Sequence, residues 1–136
     1  MIVVDTNQLA YLLIGGDATD AARRVFLQDP VWSAPLLWRS EFRSVLAQYL
    51  RRDELKVSQA IRLQEMAEKL LAGREHLLES KKILLIASKS KCSAYDCEFV
   101  ALAKELRVPL VTSDKQILRE FPHTAISPEA FVRRGA

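Results

Sequence analysis

The chain has 136 residues, 49% of them hydrophobic, and its 20 Lys and Arg residues exceed its 17 Asp and Glu residues by only three. This composition fits one domain over 1-136 with a real core and argues against intrinsic disorder, while the small basic excess permits contact with nucleic acid without requiring it. No stretch approaches the ~20 apolar residues of a membrane span and no signal-peptide pattern begins the chain, so we expect a cytoplasmic protein without a membrane partner.

The first part of the chain alternates short apolar runs with segments of helical spacing. Gly15 and Gly16 follow one such segment and are typical of a helix end, and the Asp29-Pro30 pair interrupts another. The predicted elements are a strand over 2–4, a short helix before the glycine pair, a helix over 17–27, a strand over 31–34 and a helix over 36–52.

The second part continues the alternation. Gly73 ends a helix, and Ser93 is a suitable N-cap for another. The predicted elements are a helix over 58–72, a strand over 75–78, a short helix containing the apolar run 83–86, a helix over 93–106, a strand over 108–111, a helix over 115–120 and a strand over 124–126. Strands separated by helices pair in parallel through right-handed crossovers. We therefore predict the α/β class, as a three-layer α/β/α sandwich with a mainly parallel sheet of about five strands.

Four acidic residues stand where these elements meet. Asp5 directly follows the first predicted strand and Asp114 follows the strand over 108–111, and ligand sites of open α/β sheets lie at such carboxyl ends. Glu41 and Asp96 lie on helices, at the edges of apolar faces. A carboxylate held against a core is costly unless it is paired or bound to a cation. The four side chains are therefore candidates for one shared site.

Each acid also has a simpler interpretation. Asp5 and Asp114 could be N-caps of the helices that follow them, and Ser93 with Asp96 has the spacing of a capping box. Glu41 could be an exposed charge near a helix start. Pairing with Arg or Lys is a further alternative for both helix acids, and the sequence leaves these alternatives open.

A shared site would need a cation. Four converging carboxylates repel one another and raise one another's pKa unless positive charge lies between them. Mg²⁺ and Mn²⁺ prefer oxygen ligands, whereas zinc prefers His and Cys. Cys92 and Cys97 are five residues apart, a spacing that fits neither a redox pair nor a zinc site, and we expect two buried or idle thiols.

The order of these motifs resembles that of the PIN-domain ribonucleases, and most closely their VapC-type toxins. The resemblance extends from Ile2 to about Phe131. Thr112 matches the hydroxyl residue that the family places two before its last acid, and Asn7 matches the polar residue two after the first. The motifs are Val4-Asp5-Thr6-Asn7, Glu41 after Trp38-Arg39-Ser40, Ser93-Ala94-Tyr95-Asp96 and Leu110-Val111-Thr112-Ser113-Asp114.

The resemblance implies a metal-dependent endoribonuclease that acts as the toxin of a toxin–antitoxin pair. Its acids would hold one or two Mg²⁺ or Mn²⁺ ions, with Asp5, Asp96 and Asp114 as principal ligands and Glu41 as a ligand or an outer base. It also implies an RNA substrate, a small antitoxin protein as partner and a homodimer. Some PIN domains carry another acid near the last one, but here Lys115 follows Asp114, so a second ion would bind weakly or only with RNA.

Basic residues near the acids are candidates for RNA contact, although each could equally belong to a solvated helix face. They are Lys89, Lys91, Arg39, Arg43 and Lys115.

Other functions fit the sequence less well. A receiver-like phosphotransfer domain would leave Glu41 and Asp96 without a role, and a haloacid-dehalogenase-type phosphatase needs an aspartate where Asn7 stands. The chain has only four glycines, too few in the right places for a P-loop or a GxGxxG turn. A non-catalytic interaction module with the same fold is the remaining alternative.

Overall fold

A computed structural model describes residues 1–135, which form five strands and eight helices. In chain order these are β1 (Ile2–Val4), α1 (Thr6–Leu13), α2 (Thr19–Gln28), β2 (Trp32–Pro35), α3 (Trp38–Arg51), α4 (Val57–Leu70), β3 (Glu75–His76), α5 (Ser80–Ala87), α6 (Ala94–Leu106), β4 (Leu110–Val111), α7 (Lys115–Glu120), β5 (Ala125–Ile126) and α8 (Pro128–Arg134).

The strands form one parallel sheet in the order β3-β2-β1-β4-β5. Every residue of β1, β2 and β4 is buried, which explains why these strands are apolar runs without the alternation of a half-exposed strand. Val3 of β1 pairs with Ser33 of β2 on one side and with Leu110 of β4 on the other. The predicted α/β class and the five-stranded parallel sheet are confirmed.

The central position of β1 decides where a site can form. Because β1 and β4 are adjacent and parallel, their carboxyl ends lie side by side. The residues that follow them, Asp5 and Asp114, each begin a helix as its N-cap. The first and the last of the four predicted acids therefore leave the same edge of the sheet.

Most predicted elements form within a few residues of their expected bounds, and the apolar run 83–86 belongs to α5 as predicted. β3 is shorter than the predicted strand over 75–78 and contains Glu75 and His76 only. Cys92 and Cys97 are free and buried, in agreement with the prediction of idle thiols, and burial raises the pKa of Cys92 to about 11. Within residues 1–135 no helix has the length and apolar character to cross a bilayer.

The sequence analysis predicts no element after the strand over 124–126, so helix α8 is an addition to it. Ser127 caps this helix by accepting a hydrogen bond from the backbone N–H of Ala130, at 3.1 Å, and a proline occupies its first turn. Phe131 is only 4% exposed. The helix therefore contributes to the core, and its Ser-Pro start was the signal that could have revealed it.

Candidate metal centre

The structure brings the four acids together around one cavity of about 280 Å³ at the carboxyl edge of the sheet. Asp5 follows β1, Asp114 lies between β4 and α7, and helices α3 and α6 carry Glu41 and Asp96. Polar and apolar side chains complete the wall. They are Thr6, Asn7, Ser44, Val45, Phe99 and Ile117.

Asp5 is the most deeply placed of the four, with 8% of its surface exposed. One carboxylate oxygen, Oδ1, caps α1 by accepting the backbone N–H of Gln8 at 3.1 Å. The other, Oδ2, accepts a hydrogen bond from the hydroxyl of Thr112. Thr112 is fully buried and also accepts the backbone N–H of Asp114, at 3.0 Å. This threonine therefore fixes the ends of β1 and β4 relative to each other.

Asp114 is exposed and has both of the roles that the sequence suggested for it. Its Oδ1 accepts the backbone N–H of Ile117 at 3.0 Å, which makes it the N-cap of α7. Its side chain also lines the cavity beside Asp5. One carboxylate can therefore cap a helix and line the acidic cavity at the same time, because it has two oxygens.

Glu41 lies half-buried in the first turn of α3, and its Oε1 accepts a 2.7 Å hydrogen bond from the hydroxyl of Thr6. Sequence reasoning did not assign Thr6 a role. The signal available was its position directly after Asp5, at the first residue of α1. Ser44, one helical turn after Glu41, also lines the cavity and was likewise not predicted.

Asp96 lies half-buried in the first turn of α6. Its backbone N–H donates to the hydroxyl of Ser93 at 3.1 Å, which confirms the predicted N-cap. The side chain of Asp96 lines the cavity.

Asp5, Glu41 and Asp96 hold their protons more tightly than isolated carboxyl groups do. Burial raises the pKa of Asp5 to about 6, against the opposing hydrogen bonds from Thr112 and Gln8, and the charges of Asp114 and Glu41 add to the rise. Burial also raises the pKa of Glu41, and the negative charge of Asp96 raises it further. The pKa of Asp96 is itself raised by burial and by Asp114. Burial is the largest cause in all three cases, and neighbouring carboxylates add to it.

Among residues 1–135, no Lys or Arg forms a salt bridge with any of the four acids. Pairing with Arg or Lys therefore does not account for Glu41 or Asp96. Lys89, Lys91 and Lys115 are exposed, as RNA contacts would require.

Arg39, another candidate for RNA contact, forms salt bridges within the fold, and 38% of its side chain is exposed. Its Nε and Nη2 donate to the two carboxylate oxygens of Glu75 on β3, at 2.6 and 2.7 Å, and its Nη1 donates to Glu68 at 3.3 Å. Trp38 Nε1 donates to the same carboxylate at 2.8 Å. The guanidinium thus fastens α3 to the edge of the sheet and to α4.

The chemistry of the cavity fits a hard divalent cation that keeps much of its hydration shell. Every charged group that lines it is a carboxylate, and neither His nor Cys takes part. Within the described chain, no three His, Cys, Asp or Glu side chains lie close enough together to hold an ion by themselves. Mg²⁺ typically binds through one or two carboxylates, several waters and substrate phosphates. An open group of acids therefore suits it better than a closed cage would.

Similarity to known proteins points to one family. The PIN domain family model matches residues 2–123. Over 124 residues the chain is 28% identical to Ribonuclease VapC3 of Pyrobaculum aerophilum, covering 89% of this chain and 95% of that protein. The crystal structure of FitAcB from Neisseria gonorrhoeae has a TM-score of 0.72 at 19% identity, covering 95% of this chain and 99% of that chain.

A toxin–antitoxin complex from Klebsiella pneumoniae has a TM-score of 0.69 at 17% identity, covering 94% of this chain and 98% of the matched chain. At these identities the structural likeness shows a shared fold.

Proposed function

The chain belongs to the PIN domain family, and from that premise we propose that it is a Mg²⁺- or Mn²⁺-dependent endoribonuclease, the toxin of a toxin–antitoxin pair. The observation that carries the proposal is the cavity at the carboxyl edge of the sheet, where four acids converge without a basic partner. The name of the related Ribonuclease VapC3 supports the choice of RNA as substrate. Residues 1-136 act as a single domain in this proposal.

Three of the acids are the principal ligands in this proposal. Asp5, Asp96 and Asp114 present carboxylate oxygens to the cavity, and the hydroxyl of Thr112 holds Asp5 in place. Glu41, whose Oε1 is held by Thr6, serves as a further ligand or as a base toward the attacking water. When bound, the cation would neutralise charge at the scissile phosphate and make water a better nucleophile.

Two further residues support the site. Asn7 is exposed at the cavity, where its amide can donate a hydrogen bond to a phosphate oxygen. Thr112 supports the site indirectly, because its hydroxyl connects the carboxylate of Asp5 with the backbone N–H of Asp114.

A small antitoxin and a second copy of the chain are the proposed protein partners. The solved toxin–antitoxin complex of the same fold supports the first. Exposed apolar residues at and before α5 support an interface: Leu77, Leu84 and Leu85 are 87%, 63% and 52% exposed, and α5 has no buried residue. The RNA substrate places the activity in the cytoplasm.

Cleavage of total cellular RNA by the purified, antitoxin-free protein tests the proposal. We expect discrete fragments with Mg²⁺ or Mn²⁺, and none with EDTA. Asp96→Asn should abolish cleavage, whereas Glu105→Gln, on the same helix but bonded to Lys82 away from the cavity, should leave it intact. Equal fragments from wild type and Asp96→Asn, or no cleavage by either protein, would overturn the catalytic assignment in favour of an interaction module.

A further inference from the structure

Gln8 is a buried polar residue whose side chain has no assigned role. It lies in α1, three residues after Asp5, and is 0% exposed. Its amide Nε2 donates to the hydroxyl of Ser113 at 3.2 Å. Its Oε1 is buried and has no hydrogen-bond partner among residues 1–135.

This arrangement is unfavourable for folding. A buried acceptor without a partner keeps the full cost of its desolvation, and an apolar side chain of similar size would avoid that cost. Buried polar groups that violate the rules of packing are most often found at functional sites. Stability therefore does not explain the amide of Gln8, and its position has to show whether it has a role.

The position of Gln8 indicates what that role is. Its backbone N–H binds Oδ1 of Asp5, and its side chain binds Ser113, the residue before Asp114. One residue thus contacts both the first acid and the loop that carries the last. Thr112 makes a second connection between the same two strand ends, through its hydroxyl.

The two connections restrain different parts of the site. Thr112 binds the carboxylate of Asp5 directly, whereas Gln8 binds the side chain of Ser113, which lies on the exposed side of the β4–α7 loop. Together the two connections hold the β4–α7 loop against α1 and the end of β1. A displacement of this loop would change the separation between the carboxylates of Asp5 and Asp114.

The geometry points to Gln8 as a positioning residue that sets the spacing of Asp5 and Asp114 for a divalent cation. This inference rests on the proposed function, because it assumes that the two acids bind the same ion. Residues that orient metal ligands through hydrogen bonds typically change metal affinity on the order of 10- to 100-fold when they are replaced.

The test compares metal affinity with folding stability in Gln8→Met. Methionine keeps the length and helix propensity of glutamine but lacks the amide. By titration calorimetry with Mn²⁺ alone, we expect its dissociation constant to rise about tenfold. In EDTA we expect its Tm to equal or exceed that of wild type, because the orphaned oxygen is gone.

Gln64→Met is the matched control. Gln64 also has a buried Oε1 without a partner, but it lies on α4 and bonds to Glu68. This variant should show the same behaviour of Tm with an unchanged dissociation constant for Mn²⁺. The comparison separates the effect of an orphaned amide from the effect of its position.

The variant Ser113→Ala and the double variant at Gln8 and Ser113 test whether Gln8 acts through its hydrogen bond to Ser113. If Gln8 acts through Ser113, the single variants weaken Mn²⁺ binding similarly and the double variant is no weaker than either. Wild-type affinity in Gln8→Met, or a fall in its Tm that accompanies the loss of binding, would overturn the inference. Failure of wild type to bind Mn²⁺ would instead remove the proposed function and this inference with it.

Discussion

The hydroxyl of Thr6 donates a 2.7 Å hydrogen bond to Oε1 of Glu41, which joins the start of α1 to the start of α3. This bond favours the ionised carboxylate and lowers a pKa that burial raises. Thr6→Val keeps the shape of the side chain but removes the donor, so the pKa of Glu41 should rise.

We therefore expect the acidic limb of the pH profile of RNA cleavage, measured as kcat/KM, to move to higher pH in Thr6→Val. Thr19→Val is the matched control, because it removes a hydrogen bond of the same length to the backbone of Tyr11. An unshifted acidic limb would show that Glu41 does not need to be ionised for cleavage.

Asp5→Asn should stabilise the metal-free protein at neutral pH. The pKa of Asp5 is about 6 in the folded state against 3.8 for an unperturbed aspartate, so the folded state binds the proton more tightly. Stability contributed by this group is present below pH 3.8 and is lost as the pH rises toward 6. The shift of about two units corresponds to at most about 3 kcal/mol.

Urea denaturation in EDTA checks this expectation. The gain in unfolding free energy for Asp5→Asn should be largest at pH 7.5 and should shrink toward pH 4. Asn also keeps the N-cap of α1, so loss of helix capping will not obscure the result. If the difference in unfolding free energy between Asp5→Asn and wild type stayed constant with pH, burial of the Asp5 charge would not be its cause.

Divalent cations should stabilise the protein more at pH 7.5 than at pH 5. Protons compete with the ion for carboxylates whose pKa is raised, and Asp5, Glu41 and Asp96 all have raised pKa values. At a free concentration 100 times the dissociation constant, the gain is about 2.7 kcal/mol. Thermal melting with and without Mg²⁺ measures this stabilisation. Equal shifts in Tm at the two pH values would mean that the ion binds away from these carboxylates.

The residues at the ends of the strands could be predicted from the sequence, whereas side-chain contacts between different helices and strands could not. Asp5 and Asp114 follow apolar runs, and parallel pairing brings such positions together. The bond from Thr6 to Glu41 depends on how α3 crosses the start of α1, which no local pattern encodes. The salt bridge of Arg39 was not predicted, because its partner Glu75 is distant in the sequence and becomes adjacent only when β3 joins the sheet.

Glu75→Gln should lower the Tm without a selective effect on RNA cleavage. Arg39 holds the pKa of Glu75 below its usual range, and Trp38 donates to the same carboxylate. The neutral amide of glutamine cannot accept the charge-assisted hydrogen bonds, and its NH₂ group would face the N–H donors of Arg39 or Trp38. Glu65→Gln, an exposed change on α4, is the control. An unchanged Tm would mean that the pair with Arg39 contributes little to the fold.

Phe131→Ala should cost about 3 kcal/mol of unfolding free energy, because the ring is 4% exposed and its removal leaves a cavity beneath α8. Leu27→Ala, at a position 82% exposed on α2, should change stability little. Urea denaturation of both variants makes the comparison. A small effect at Phe131 would mean that α8 is a dispensable appendage.

The pairing of β1 with β4 has a consequence for the protein while it is being made. Asp5 and β1 leave the ribosome well before β4 and Asp114, because a long stretch of chain separates the two paired strands. A nascent chain that lacks β4 has half of the strand pair that carries the site, and it cannot position a cation between the two ends. In the proposed nuclease, the metal site would therefore form only after β4 has been synthesised and has paired with β1.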